Sequence, residues 1–380
     1  MTGSKSSNIP GLYIHIPFCT SKCDYCNFYS VTDQSKISEF IECLLGEMTI
    51  YKHCFDRFDS VYVGGGTPSI LKPKQMEKIL EKIRRTFSLF ENSEITCEVN
   101  PGGLSLNYLK ALRDTGINRL NIGVQSFNRD ILTFLGRRHS VSESIDALEN
   151  SRKAGFENIG LDLIYGIPGQ DVKSWMNDLR EALSFGPEHL SCYQLTLEPD
   201  TPLETKYQNG SFSMPDEELY HSFFFITSEI IEKAGYVHYE VSNFAREPKL
   251  QSRHNQKYWD HTPYLGLGPA SHSFLKNKRW WNHRCLDSYI SDIKEGKFPV
   301  GGEEYLSLHE LGNETLYLGL RTKRGIDIKD FNARYNFDLL QSRERILIKL
   351  VEERLVDIKK GFLYPTLKGL ALADSLYLEL

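Results

Sequence analysis

The stretch Leu12-Tyr13-Ile14-His15-Ile16-Pro17-Phe18-Cys19-Thr20-Ser21-Lys22-Cys23-Asp24-Tyr25-Cys26 joins a short apolar run to a loop bearing three thiols. Residues 12–18 have the length and branched content of a buried strand, and the chain turns polar directly behind them. Similar runs follow at 61–63, 95–99, 119–124, 159–165 and 189–197. Between them lie segments of helical periodicity at 37–51, 73–87, 106–115, 141–154 and 171–185, several opened by Ser, Asp or Pro. Strands alternating with helices require parallel pairing through right-handed crossovers, which builds an open doubly wound sheet or a barrel. The polar residues favour the barrel. Gly64-Gly65-Gly66-Thr67-Pro68, Glu98, Gln125, Asp162 and Thr196 all fall at or just past strand ends, the face where barrel chemistry collects. The expected class is α/β, a partial (β/α)6 barrel open on one side.

Farther along the rhythm changes. A long helix is expected at 216–234, and an aromatic, histidine-rich stretch at 238–283 extends the first unit. Near Gly301-Gly302 a new segment opens, with helices expected at 308–320, 328–335 and 339–353 and a hairpin at 355–364. That order suggests a small winged-helix-like α+β unit, giving a division into 1–300 and 301–380.

Composition narrows the function classes. The chain is 40% hydrophobic and 25% charged, enough to bury a sizeable core. A formal charge of −5 supplies no basic footprint for nucleic acid. The first ten residues are polar and the apolar run behind them is too brief for a signal sequence or a membrane span, so a cytoplasmic location is expected. In a reducing compartment cysteines serve metal ligation or stand as free thiols. Of the eight, Cys43, Cys54, Cys97, Cys192 and Cys285 are scattered and read as ordinary core or surface thiols.

Cys19, Cys23 and Cys26 are spaced C-x3-C-x2-C in the loop after the first strand. Thiolates so placed can wrap one cubane cluster, and three ligands leave one iron open, as catalytic metal sites require. Zinc is the competing reading, but it calls for a fourth Cys or a well-placed His in a second pair, and none stands out downstream.

The motif, with an aromatic residue, Tyr25, before its last cysteine, resembles that of the radical S-adenosylmethionine (SAM) superfamily. The resemblance implies a 4Fe–4S cluster whose open iron chelates SAM, and a cofactor pair that supplies a 5′-deoxyadenosyl radical. It further implies SAM contacts from Tyr13, Tyr25, Gly65, Gly66, Thr67, Glu98, Gln125, Arg137 and Asp162, with Arg137 answering the carboxylate and Glu98 and Asp162 suited to the cation and ribose hydroxyls. YIHIPFC, GGGTP, EVNP, GVQSF, LGRRH, DLIYGIPGQ and YLGLGPASHSF run in the order of one subgroup, that of oxygen-independent coproporphyrinogen III dehydrogenase and its haem-chaperone relatives. Two departures from the dehydrogenase point to the chaperone branch: Phe28 stands where the enzyme has a further Cys, and the segment before the first strand is short.

A third feature is His254-Asn255-Gln256-Lys257-Tyr258-Trp259, which resembles a haem-attachment signature of that branch. It implies His254 as an iron ligand, with Tyr258 and Trp259 stacking on porphyrin; His272 in GPASHSF is a lesser candidate in a stretch that lines the SAM site. The expectation is a haem chaperone loading apo-haemoproteins, among them respiratory-chain components at the membrane, rather than an enzyme acting on a porphyrin. The alternative is oxidative decarboxylation of coproporphyrinogen III propionates. No partner supplying the electron is legible.

Overall fold

The computed structural model describes residues 9–379. The start of the N-terminal segment read for a targeting signal lies outside them. Six parallel strands pair in chain order: β1 (Gly11–Ile16), β2 (Arg57–Gly65), β3 (Ser88–Val99), β4 (Arg119–Gln125), β5 (Ile159–Tyr165) and β6 (His189–Gln194). The helices between them begin where their caps stand: the Ser105, Ser140 and Asp171 side chains each accept from a backbone N–H in the first turn, and Ser140 forms a capping box with Glu143.

The sheet is wider than six strands. Beyond β6 lie β7 (Val237–His238) and β8 (Asn243–Ala245). Beyond β1 lie β9 (Tyr264–Leu267), parallel to it, then β10 (His272–Leu275), β11 (Lys278–Asn282) and β12 (Val300–Tyr305), all antiparallel. The order is β12-β11-β10-β9-β1-β2-β3-β4-β5-β6-β8-β7. The histidine-rich stretch thus extends the first unit as strands on both edges.

Alternation assigns the two faces. On β1, Leu12, Ile14 and Ile16 are fully buried and join Phe40, Leu44, Met76 and Ile79 in the main core beneath the helices. Tyr13 and His15 point the other way, level with Tyr62 and Gly64 of β2. The inner face is therefore polar and aromatic although the strand reads as an apolar run.

A second apolar cluster draws on residues from Leu306 to Leu376 together with Phe274 of β10. Here β13 (Ile326–Asp327), β14 (Val356–Lys359) and β15 (Phe362–Pro365) form a separate antiparallel sheet in the order β13-β15-β14. The helix expected at 339–353 is broken at Arg343 into Leu339–Ser342 and Glu344–Glu352. Gly301 and Gly302 sit inside β12 of the large sheet.

One buried carboxyl ties the two ends of the large unit together. Glu47, fully buried in the helix Ile37–Ile50, accepts from the Gly268 backbone N–H (2.8 Å), Asn282 Nδ2 (2.6 Å) and the Tyr289 hydroxyl (2.7 Å). Burial pushes it up to about 7 against these donors. The folded value exceeds the unfolded one, so its contribution is complete below about pH 4.5 and is lost as pH rises through about 7. The Glu47→Gln variant is therefore expected to show a flatter thermal midpoint than wild type between about pH 5 and 7.5. A scan of melting temperature against pH checks it, and parallel curves would refute the assignment.

Candidate functional site

The cysteine loop is closed at its neck. The Val31 N–H donates to the Pro17 carbonyl (2.7 Å) and the Cys19 N–H to the Val31 carbonyl (3.0 Å). Phe18, fully buried, anchors the loop edge-on against Phe40 at 5.4 Å. At the tip the Cys26 N–H turns back onto the Cys23 carbonyl (3.2 Å). Cys19 is buried, Cys23 and Cys26 are half-buried, and none is in a disulfide. Cys43, Cys97 and Cys192 are buried free thiols, and Cys54 and Cys285 are exposed ones.

The glycine-rich loop after β2 packs onto this loop. The Thr67 N–H donates to the Phe18 carbonyl (2.8 Å), and the Thr67 hydroxyl lies 3.4 Å from Cys19 Sγ. A Cβ on Gly66 would stand 2.7 Å from the Phe18 carbonyl oxygen and 3.0 Å from Cys19 Sγ. Gly65 has φ +109°, and a Cβ there would meet the His15 ring at 2.8 Å. These glycines are needed for loop to lie on loop, a role their sequence did not disclose.

Arg137 reaches the same place from the segment after the helix Arg129–Phe134. Its Nη1 is 3.6 Å from Cys23 Sγ, and its Nη2 donates to Asn100 Oδ1 (2.6 Å) and the Gly123 carbonyl (2.8 Å). Tyr25 is adjacent, its hydroxyl pushed well up by burial and drawn back by Arg137. Gln125 ends β4 at φ +69° beside a register shift, a conformation rare for a residue with a Cβ and commonest at functional positions.

Inside the barrel mouth, Glu98 accepts from the Tyr62 hydroxyl (2.8 Å) and the Gly65 N–H (3.2 Å). Burial, reinforced by Asp162, pushes it up to about 7. Asp162 accepts from Asn121 Nδ2 (2.7 Å) and is also raised by burial. The Tyr13 hydroxyl pairs with His15 Nδ1 (3.1 Å), and the other His15 nitrogen bonds the Tyr29 carbonyl (2.8 Å). Burial lowers His15 to about 4, leaving it neutral at physiological pH. His15, Asn121 and Arg119 received no role from the sequence, although strand alternation from Tyr13 and Glu98 carries them onto the same face. Asp162 Oδ1, Asn121 Oδ1, Thr96 Oγ1 and Arg137 Nε are buried without a protein partner. Polar atoms left so in a folded interior call for a further partner such as a ligand or water.

The HNQKYW helix requires a correction. Arg253–Trp259 packs across the first residues of β1 and β2. His254 is 1% exposed, wedged against Gly11 and ring-to-ring with Tyr13 (6.0 Å) and Tyr62 (5.5 Å). Its Nε2 bonds the Tyr258 hydroxyl (2.8 Å) and its Nδ1 is buried. The Nδ1 has no protein partner, and both ring nitrogens are enclosed. Tyr258 is partly exposed and rests edge-on against Tyr264 (4.7 Å), while Trp259 is half-buried with its Nε1 enclosed. The three do not form an open haem platform.

Residues 13–182 match the Radical SAM superfamily, and residues 306–372 match the HemN C-terminal domain. The protein named heme chaperone HemW in Bacillus subtilis is 35% identical over 96% of this chain and 97% of its own length. This chain belongs to the HemW family of radical SAM proteins. Radical S-adenosyl methionine domain-containing protein 1, mitochondrial, of Danio rerio is 33% identical over 96% of this radical SAM chain and 85% of its own. The structure of coproporphyrinogen III oxidase (HemN) from Escherichia coli superposes with a TM-score of 0.84, covering 98% of this chain and 91% of that one, and at 22% identity it speaks for the fold.

The family implies a 4Fe–4S cluster and SAM, and the residues present fit both. Three thiols without a fourth suit a cubane, which bonds each thiolate to a different iron. Among the described residues no three His, Cys, Asp or Glu side chains converge as a single ion would need. With a cluster held by Cys19, Cys23 and Cys26, bound SAM would supply a carbon-centred radical on one-electron reduction. The chain's own part is to seat the cluster loop on Phe18 and Gly66, hold positive charge beside Cys23 with Arg137, and offer enclosed polar atoms to a ligand. No helix among the described residues is long and apolar enough to cross a membrane.

Proposed function

We propose that this protein is a haem chaperone, binding haem and delivering it to apo-haemoproteins with the help of its cluster and SAM. The observation carrying this reading is the near end-to-end likeness to proteins named heme chaperone HemW, such as that of Lactococcus lactis, 33% identical over 96% of this chain and 95% of its own. Phe28 supports it: 68% exposed, it stands beside the cluster loop where the dehydrogenase has a thiol. In this reading Cys19, Cys23 and Cys26 hold the cluster. Tyr13, Tyr25, Gly65, Gly66, Thr67, Glu98, Gln125, Arg137 and Asp162 frame SAM, with Arg137 toward its carboxylate. Residues 1–300 form the radical SAM unit and 301–380 an accessory unit, a division supported by the separate apolar cluster from Leu306 onward, although residues 301–305 still run in β12 of the large sheet. The protein works in the cytoplasm, and its acceptors include haemoproteins of membrane respiratory chains.

The test is anaerobic. Cluster-loaded protein given ferric haem is expected to show a shifted Soret band and to pass the haem to apomyoglobin, while coproporphyrinogen III with SAM and reductant stays unchanged. Decarboxylated product, or no transfer of haem, would overturn the reading.

A further inference from the structure

The polar inner face of the barrel continues beyond β1. Tyr62, Tyr13 and Gly266 pair in register across β2, β1 and β9, and His272, Trp281 and Gly302 do so across β10, β11 and β12. The Phe274↔Tyr264 pairing joins the two halves and brings His272 level with Gly266, where a Cβ would strike the His272 carbonyl oxygen at 2.1 Å. Cross-strand partners share a face, so these six positions make one row.

Two glycines shape the row around His272. At Gly302 a Cβ would lie 2.4 Å from Trp281 Cζ2, so the indole lies flat on bare backbone. Trp281 in turn stacks on His272 at 5.8 Å and 30°, holding the imidazole upright from the sheet. On the other side the space a side chain on Gly266 would take is filled by the His272 carbonyl and the Ser271 side chain.

The histidine itself is exposed. His15, His189, His238, His254, His261 and His283 each bond a neighbour through a ring nitrogen. Among the described residues His272 has no such partner, and its ring contact is with Trp281. Partial burial of the ring and then Arg279, with Glu304 opposing and Arg284 adding less, hold its pKa below the ordinary value. Neutral imidazole is the form that ligates iron. Arg279 is committed to Glu304 (2.8 Å) and Glu314 (2.7 Å). Arg284 is exposed and donates to the Asn27 carbonyl (2.8 Å), next to Cys26, which places a cation between this row and the cluster loop.

The geometry points to His272 as the axial ligand of the haem iron, with Trp281 positioning its ring and Arg284 facing a propionate. This rests on the haem-carrying reading above, and it relocates the iron from the HNQKYW helix to the sheet's extension. His254 is left as a structural residue.

Ferric haem titrated into cluster-loaded protein, followed by visible absorption and electron paramagnetic resonance, tests it. His272→Ala is expected to weaken haem binding by at least about tenfold and to lose the imidazole-ligated signature. His272→Cys should convert that signature to a thiolate-ligated one, a gain that misfolding cannot mimic. Trp281→Ala should retain the ligand and broaden its resonance. Wild-type spectra and affinity in both His272 variants would overturn the assignment while leaving the haem-carrying reading in place. Loss of the signature in His254→Ala of native circular dichroism, with both His272 variants unaltered, would do the same. Wild-type protein that binds no haem would bring down both.

Discussion

Replacing Cys19, Cys23 or Cys26 by Ala is expected to abolish the cluster's visible absorption and to lower bound iron below about a tenth of the wild-type content. In the proposed site each thiolate would hold one iron, and among the described residues no group of ligands stands by to compensate. The fold should survive the loss. The loop's neck is fixed by Val31, Pro17 and Cys19 backbone groups and by Phe18 against Phe40, and none of these contacts uses a sulfur. The comparison is with Cys54→Ala and Cys285→Ala, whose thiols are exposed and lie outside the loop. Iron and sulfide analysis after anaerobic reconstitution, beside far-ultraviolet circular dichroism, separates the two groups. Iron retained by any of the three loop variants would place the cluster on other ligands.

How much of this was legible beforehand follows from the physics of each element. The six parallel strands announce themselves because their outer faces are buried under helices and read as apolar runs, and the helices announce their starts through Ser105, Ser140 and Asp171. The added strands β7 to β12 do not. They are two to six residues long, glycine interrupts β9 and β12, and β9 finds β1 from the far end of the unit, so nothing local marks the pairing. The cysteine spacing is local chemistry and is plain in the chain. Gly66 was expected to contact SAM, yet the nearest atoms to a side chain there belong to Phe18 and Cys19. His254 misled for a similar reason. A histidine among aromatics has the same composition whether it faces solvent or core, and the direction is set by Gly11 on another element, whose missing side chain receives the His254 ring and the Lys257 stem.

Lys257 carries the second large effect, and it recasts what the HNQKYW segment does. Its ammonium, 5% exposed along the side chain, pairs with Asp59 Oδ1 at 2.7 Å and donates to the Ile9 carbonyl at 2.8 Å. Lys257→Ala would leave the Asp59 carboxylate, itself 14% exposed, without its countercharge. Breaking a buried pair from one side costs about 3–5 kcal/mol, more than the pair's own net contribution, because the remaining charge stays desolvated. The variant's urea midpoint should fall accordingly. The double change Lys257→Met with Asp59→Asn should recover much of the loss, since no lone charge then remains. If instead Lys257 served haem directly, its removal would alter haem affinity and leave the unfolding midpoint in place. A stability loss that the second substitution repairs assigns this part of the motif to closing the barrel floor beneath Tyr13 and Tyr62. The iron-binding imidazole is then free to come from the opposite edge of β9.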